Sequence, residues 1–286
     1  MNTKIKIGTC SWKYDSWQGM VYSATNKADY LQEYAQHFNT VEVDQWFWSL
    51  FPEIPPVLPK TETAKEYAAA VPAEFEFSVK VPNSITLTHF YNRDKSAPLA
   101  KNPHFLSNSL FDQFLGSIEP MHKNLGPIMF QFEYLNKQKM LSASQFMSRL
   151  GEFIAGCPNE FKYAVELRNP NFISKDYFAF LNQHKLAHVF LQGYFMPSIF
   201  SVFRHFGEAV QDWSIIRLHG PDRSGIEKAT KGDWSKIVSP KDDDLSELHE
   251  MLTALLSKNT TIYINVNNHY EGSAPRTIDK IRGLFD

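Results

Sequence analysis

Apolar and polar positions along this chain switch between two periods. Short β-branched and aromatic runs, whose neighbouring side chains face opposite ways, alternate with segments whose apolar residues recur every three or four positions. IKIGTCSW opens the chain as a strand, and Leu31, Tyr34, Ala35 and Phe38 then form the stripe of an amphipathic helix. TVEVD (40–44) is the second strand; after a proline-broken aromatic loop, a helix is expected near 63–71, with Thr63 and Glu66 spaced as a capping box. FEFSVKVP (75–82) is the third strand and ends where Pro82 lacks an N–H. The polar segment 83–102 is expected to be a long loop, a kind that is usually functional or mobile.

The same rhythm continues. A helix carrying Leu110, Phe111, Phe114, Leu115 and Ile118 precedes the strand PIMFQFE (127–133), and one carrying Phe146, Leu150, Phe153 and Ile154 follows it. KYAVELR (162–168) leads to a helix capped by Ser174 that buries Tyr177, Phe178 and Leu181. AHVFLQG (187–193) precedes an aromatic loop with a short helix at 194–210. SIIRLHG (214–220) is followed by a polar loop, 221–241, and a helix with Leu245, Leu248, Leu252 and Leu255. TIYINVNN (261–268) and a helix with Ile278, Ile281, Leu284 and Phe285 complete the pattern. Eight strands alternating with about eight helices predict an α/β fold, a (β/α)8 TIM barrel in a single domain over 1–286, with an open doubly wound sheet as the alternative.

In such a barrel, chemistry belongs late in each strand, at the C-terminal rim. Glu42 and Asp44, Lys80, Gln131 and Glu133, Glu166 and Arg168, Gln192, Arg217 and His219, and Asn265 and Asn267 all fall there. Most are i, i+2 pairs, which share a face of the strand. Buried charges are costly unless paired, and here three acids (Glu42, Asp44, Glu166) meet three cations (Lys80, Arg168, Arg217). One reading is a structural plug of ion pairs. The other is an active site in which Arg217, Arg168 and Lys80 hold an anion, Glu42 or Glu166 acts as general acid or base, and His219 shares proton transfer. Asp44 and Gln131 line this site, Asn265, Asn267 and Asn268 orient hydroxyls, and Lys80 offers a Schiff-base variant if burial depresses its pKa. Trp12, with Trp17, Trp46, Phe47, Trp48 and Phe51 in the first two loops, is either loop packing or a stacking platform.

Composition narrows the classes. Twenty-nine basic and 31 acidic residues, a net charge of −2, argue against a general electrostatic grip on nucleic acid or membrane. MNTKIKIGTC lacks the apolar run of a secretory signal, so Cys10 and Cys157 read as reduced thiols of a cytoplasmic protein. No stretch of 18 apolar residues marks a membrane span. Glu42, Asp44, Glu166 and His219 are metal-ligand types, but the neighbouring Lys80, Arg168 and Arg217 compete with a dication, so no metal is expected. Phosphate-loop, CxxC, GxSxG and HExxH signatures are absent, leaving any cofactor unspecified. The expected partner is a small phosphorylated or polyhydroxylated molecule; nucleic-acid binding at the same face, or a non-catalytic ligand-binding barrel, are the rival classes.

GTCSWKYDSWQG, YAQHFNTVEVDQWFW, FEFSVKVP, LGPIMFQF, AVELRNPNF, IIRLHG and YINVNNHYEGSAP, in this order, resemble the YecE-like family, bacterial and archaeal TIM-barrel proteins grouped as a domain of unknown function. The resemblance spans essentially the whole chain. It implies a TIM barrel with marked residues at Gly8, Trp12, Glu42, Lys80, Gln131, Glu166, Arg168, Arg217, His219, Asn267 and Asn268, and implies no particular reaction. The chain departs from the commoner pattern with Asp44, Gln45 and Trp46 after Glu42, with Asn169 and Asn171 after Arg168, and with FQFEYL where a Leu-Pro-Pro turn is usual.

Overall fold

The outward positions of every strand are aliphatic or aromatic, and they bind the sheet to its helices. Ile5, Ile7, Val41, Val43, Phe77, Val79, Val165, Ile216, Leu218, Ile262, Ile264 and Val266 belong to one continuous core with the helix faces. A second, smaller cluster of Met129, Ala164, Val189, Ile215 and Tyr263 fills the interior of the sheet's cylinder. The computed structural model describes residues 2–23, 30–91 and 98–285.

The strands are β1 (Ile5–Thr9), β2 (Thr40–Val43), β3 (Glu76–Lys80), β4 (Leu125–Gln131), β5 (Lys162–Glu166), β6 (Leu186–Gly193), β7 (Trp213–Gly220) and β8 (Thr261–Val266). The helices are α1 (Tyr30–His37), α2 (Thr61–Ala69), α3 (Asn83–Thr86), α4 (Asn108–Ser117), α5 (Ala143–Ala155), α6 (Lys175–Gln183), α7 (Ile199–Phe206), α8 (Arg223–Thr230), α9 (Asp242–Ser257) and α10 (Ala274–Gly283). The strands lie in the order β1-β8-β7-β6-β5-β4-β3-β2, and each pairing is parallel. This is the predicted (β/α)8 TIM barrel.

Closure occurs where β1 meets β2. The two edges share a single bridge, Cys10 with Glu42, and Ser11 N donates to Glu42 O at 3.0 Å. Below it, the Tyr34 hydroxyl from α1 takes the place of a ladder bond. It accepts from Thr9 N at 2.8 Å and donates to Thr40 O at 3.1 Å. Gly8 permits this approach, since a Cβ there would lie 1.8 Å from the Thr40 carbonyl oxygen.

Three local expectations need correction. Segment 83–102 does not begin as a polar loop: α3 and the residues up to His89 are buried, and Asn83 Oδ1 accepts from Ser49 N and Leu50 N, both at 2.9 Å. Residues 92–97 of that segment lie outside the described residues. Segment 221–241 contains α8, capped by Asp222, which accepts from Gly225 N at 2.9 Å. Its Ile226 and Thr230 are the buried positions, too few to make an apolar stripe. Finally, α2 starts after Lys60 with no side-chain cap, so Thr63 and Glu66 lie inside the helix and form no capping box. Ser174 caps α6 as expected, accepting from Tyr177 N at 3.2 Å.

Candidate active site at the barrel mouth

Alternation along the strands sorts the barrel interior into three levels. At the floor, Lys6 Nζ lies 3.2 Å from Glu76, the Tyr263 hydroxyl donates to Glu76 Oε2 at 2.5 Å, and Lys162 Nζ reaches Tyr263 Oη at 2.7 Å. The apolar cluster of Met129, Ala164, Val189 and Ile215 forms the middle. Above it, at the C-terminal ends of the strands, stand the polar residues singled out in the sequence.

Arg217 is the hub of this upper level. Its Nε and Nη2 grip Glu42 in a two-pronged pair at 2.7 and 2.6 Å. Its Nη1 binds Glu166, and Gln131 Oε1 stands 3.4 Å from the same nitrogen. Arg168 completes the group from β5's end, with Nε and Nη2 at 2.8 and 2.6 Å from Glu166 Oε1. Burial would raise the pKa of Glu166, yet Arg168, Arg217 and Lys80 together hold it down to about 2. Burial also disfavours the charge on Arg217, and Glu166 and Glu42 more than reverse that. The two arginines and two glutamates thus pair charge against charge.

Other groups at this level have no such partner. Lys80 Nζ, nearly buried, stands 4.2 Å above the Phe47 ring and makes no hydrogen bond or ion pair with any described residue. Its pKa is lowered by burial and then by Arg217. Val43 pairs with Val79, so Asp44 and Lys80 follow side by side on adjacent strands. The Asp44 carboxyl, half-buried, likewise accepts no side-chain bond from the described residues; burial first, then Glu42, raises its pKa. Asn265 lies level with Arg217 and Gly8, and both ends of its fully buried amide lack partners among the described residues, as does the Ser78 hydroxyl.

A third group surrounds His219. Its Nε2 is 3.6 Å from Cys10 Sγ, its Nδ1 is 3.2 Å from the Tyr194 hydroxyl, and Cys10 Sγ lies 3.6 Å from Glu42 Oε2. Burial, followed by Arg217, Arg168 and Lys80, drives the imidazole pKa well down, so His219 is neutral. Burial and Glu42 push the Cys10 thiol up, which keeps it protonated. Tyr194 reaches His219 because Gly193 and Tyr194 both adopt left-handed φ, +134° and +55°. A Cβ on Gly193 would meet the Gly220 carbonyl oxygen at 2.4 Å. The Arg168 guanidinium stacks 4.1 Å above the Tyr194 ring. Arg168 also lines an open cleft of about 560 Å³ with Tyr134, Asn171, Tyr194 and Phe195, the last 97% exposed.

A family model described as "Protein of unknown function DUF72" matches residues 6–286. The chain belongs to the DUF72 family. It is 27% identical over 171 residues to the UPF0759 protein YecE of Escherichia coli K12, an alignment covering 60% of this chain and 51% of YecE. The YecE of Escherichia coli O157:H7 matches equally, so the chain spans about half the length of the curated relatives it matches. A DUF72 family protein from Enterococcus faecalis V583 superposes with a TM-score of 0.69 at 19% identity, over 98% of this chain and 94% of that one. One from Thermotoga maritima MSB8 gives 0.67 at 17% identity, over 98% of both. The YecE-like resemblance and the barrel are thus both shown.

In this DUF72 barrel, Glu42, Asp44, Lys80, Gln131, Glu166, Arg168, Arg217, His219 and Asn265 come together at one end. The side chains of other residues marked in the sequence are engaged by the protein itself. Trp12 is buried edge-on against Tyr67 at 5.0 Å, the packing alternative for that ring. Asn267 Oδ1 accepts from His269 N at 2.9 Å, and Asn268 Oδ1 accepts from Ala274 N at 2.8 Å, holding the start of α10. Gln192 faces outward, donating to Asp244 at 2.9 Å and accepting from Ile199 N at 3.0 Å. Cys10 and Tyr194 went unmarked. Cys10 lies at the end of β1 as the polar residues lie at the ends of other strands, so position alone could have flagged it; nothing in the sequence pairs Tyr194 with His219. Among the described residues no three of His, Cys, Asp and Glu converge as a metal-ligand set. No helix among them is long and apolar enough to cross a membrane.

Proposed function

We propose that the barrel mouth binds a small polyhydroxylated metabolite and acts on it by acid–base chemistry, with Lys80, Asp44 and Asn265 as the groups that meet it. The observation that carries this reading is the set of polar groups without a hydrogen-bond partner among the described residues: the fully buried Asn265 amide and Ser78 hydroxyl, and beside them the ammonium of the nearly buried Lys80. Each buried orphan costs the fold about 1–3 kcal/mol, which a ligand offering donors and acceptors recovers. The hydroxylated member of the expected pair is favoured over the phosphorylated one. Glu42 and Glu166 already occupy the forks of Arg217 and Arg168, leaving Lys80, among the described residues, as a cation of the mouth without an ion pair, with the half-buried Asp44 on the adjoining strand. A phosphate dianion would meet no net positive charge there, and the same balance disfavours a nucleic-acid backbone.

Thermal-shift screening of sugars, sugar acids, polyols and sugar phosphates, with product analysis of each hit, tests the reading. A hydroxylated ligand at a hundred times its Kd should raise Tm by about 5 °C. Asn265→Leu and Lys80→Met should each abolish most of that rise. Hits that stabilise both variants as well as the parent would place the binding site elsewhere and overturn the proposal.

A further inference from the structure

The arrangement around Lys80 differs from that of a structural lysine. A buried ammonium ordinarily survives by pairing, and pairing holds its proton. Among the described residues both mouth arginines, Arg168 and Arg217, are bound to carboxylate, whereas Lys80 forms no ion pair and is set on an aromatic face, with Asp44 following the paired Val43 at the end of the adjoining strand. An aromatic face under a nitrogen tolerates the cation without fixing its proton, and it shields the nitrogen from water on that side.

We propose that Lys80 is a nucleophile that forms an imine with a hydroxylated aldehyde or ketone, and that Asp44 carries the protons for this step. The proposal rests on the hydroxylated-ligand reading above and names the reactive group of that ligand. Nζ, as the free amine, attacks the carbonyl carbon, forming the C–N bond while the carbonyl π pair moves to oxygen. That oxygen takes the Asp44 proton, and the carboxylate so formed removes a proton from the new ammonium nitrogen. The carbinolamine hydroxyl then leaves as water with the Asp44 proton, while the nitrogen lone pair closes the C=N bond. The product is an iminium carrying one N–H, faced by the Asp44 carboxylate. Atoms and charge balance with no oxidant, reductant or metal.

Three features support the step. Both groups are shifted toward the neutral forms it needs: burial and then Arg217 lower Lys80, while burial and then Glu42 raise Asp44. The Asn265 amide, also unpartnered, offers a donor and an acceptor to hydroxyls on the carbon chain. The neutral His219 imidazole stays unchanged by the reaction, held at both nitrogens by Cys10 and Tyr194.

The test is reductive trapping. The intact protein is incubated at pH 7 with limiting glycolaldehyde, dihydroxyacetone or erythrose and sodium cyanoborohydride, then digested and mapped by mass spectrometry. Lys80 should carry the reduced adduct at least tenfold faster than the average surface lysine, and Asp44→Asn should slow that labelling by about tenfold or more. Labelling spread over surface lysines with Lys80 unmodified overturns the imine; wild-type rates in Asp44→Asn overturn the role given to Asp44. Thermal shift with millimolar xylitol and erythritol, which have no carbonyl, separates the two proposals. Stabilisation of the parent but not of Asn265→Leu, together with an unlabelled Lys80, leaves the hydroxylated-ligand site standing and removes the imine. Failure of both measurements removes both.

Discussion

Glu166 shows how strongly the mouth depends on individual contacts. Its carboxylate takes three arginine nitrogens, two from Arg168 and one from Arg217, and its pKa falls from 4.5 to about 2. A depressed carboxylate contributes stability that is complete above its unfolded value and disappears as pH falls through its folded value. The window therefore runs from about pH 4.5 down to pH 2, and the contribution is about 3 kcal/mol. Glu166→Gln should flatten the acid limb of stability in that window, seen by urea unfolding at a series of pH values. At pH 7 it should cost about 3–5 kcal/mol, because the buried Arg217 and the partly buried Arg168 both lose an acceptor. An unchanged acid limb would show that Glu166 is not the group titrating there. Much of this cluster was legible in the sequence, since strand alternation put Glu42, Glu166, Arg168 and Arg217 on one face at one level. What alternation does not encode is stoichiometry: that both arginines would be consumed by glutamates, leaving Lys80 free, depends on side-chain reach across the barrel.

At the scale of elements, the seam between β1 and β2 is the weakest join of the cylinder. Elsewhere neighbouring strands share ladders, whereas here one bridge, the Tyr34 hydroxyl and the Asn39 side chain, which accepts from Ile7 N and donates to Ile5 O, do the work. Tyr34→Phe should leave Thr9 N and Thr40 O without that partner, lowering stability by about 1–3 kcal/mol. Amide exchange at Thr9 should accelerate more than at β5 or β7, and uniform acceleration across the sheet would disprove a local seam. Gly8→Ala should be worse, because the obstruction is backbone rather than a side chain that can move. The strands and long helices were legible because periodicity repeats over many residues. The elements missed, α3 and α8, are short and held by particular contacts, Asn83 with Ser49 in one and the Asp222 cap in the other. Such contacts leave no period to detect.

Across the whole molecule, the barrel interior separates two polar networks with an apolar layer. Glu76 at the floor and Lys80 at the mouth are four residues apart on one strand, roughly 13 Å. Groups so far apart, without shared partners, contribute to stability independently. Glu76→Gln should weaken the Lys6 and Tyr263 contacts and cost about 1 kcal/mol, since this pair is partly solvated. Lys80→Met should act in the opposite direction. It removes a desolvated charge that no carboxylate pairs directly, and the thioether keeps a favourable contact with the Phe47 ring, so stability should rise by about 1–2 kcal/mol where desolvation outweighs the longer-range attraction of Glu42, Asp44 and Glu166. The double variant should equal the sum within about 0.5 kcal/mol by urea unfolding. A gain in stability on removing Lys80 would mark it as a group the fold carries at a cost, as expected of one kept for chemistry. A loss of 2 kcal/mol or more would mean that the ammonium helps to hold the barrel together, and the site would then have to be built around another residue.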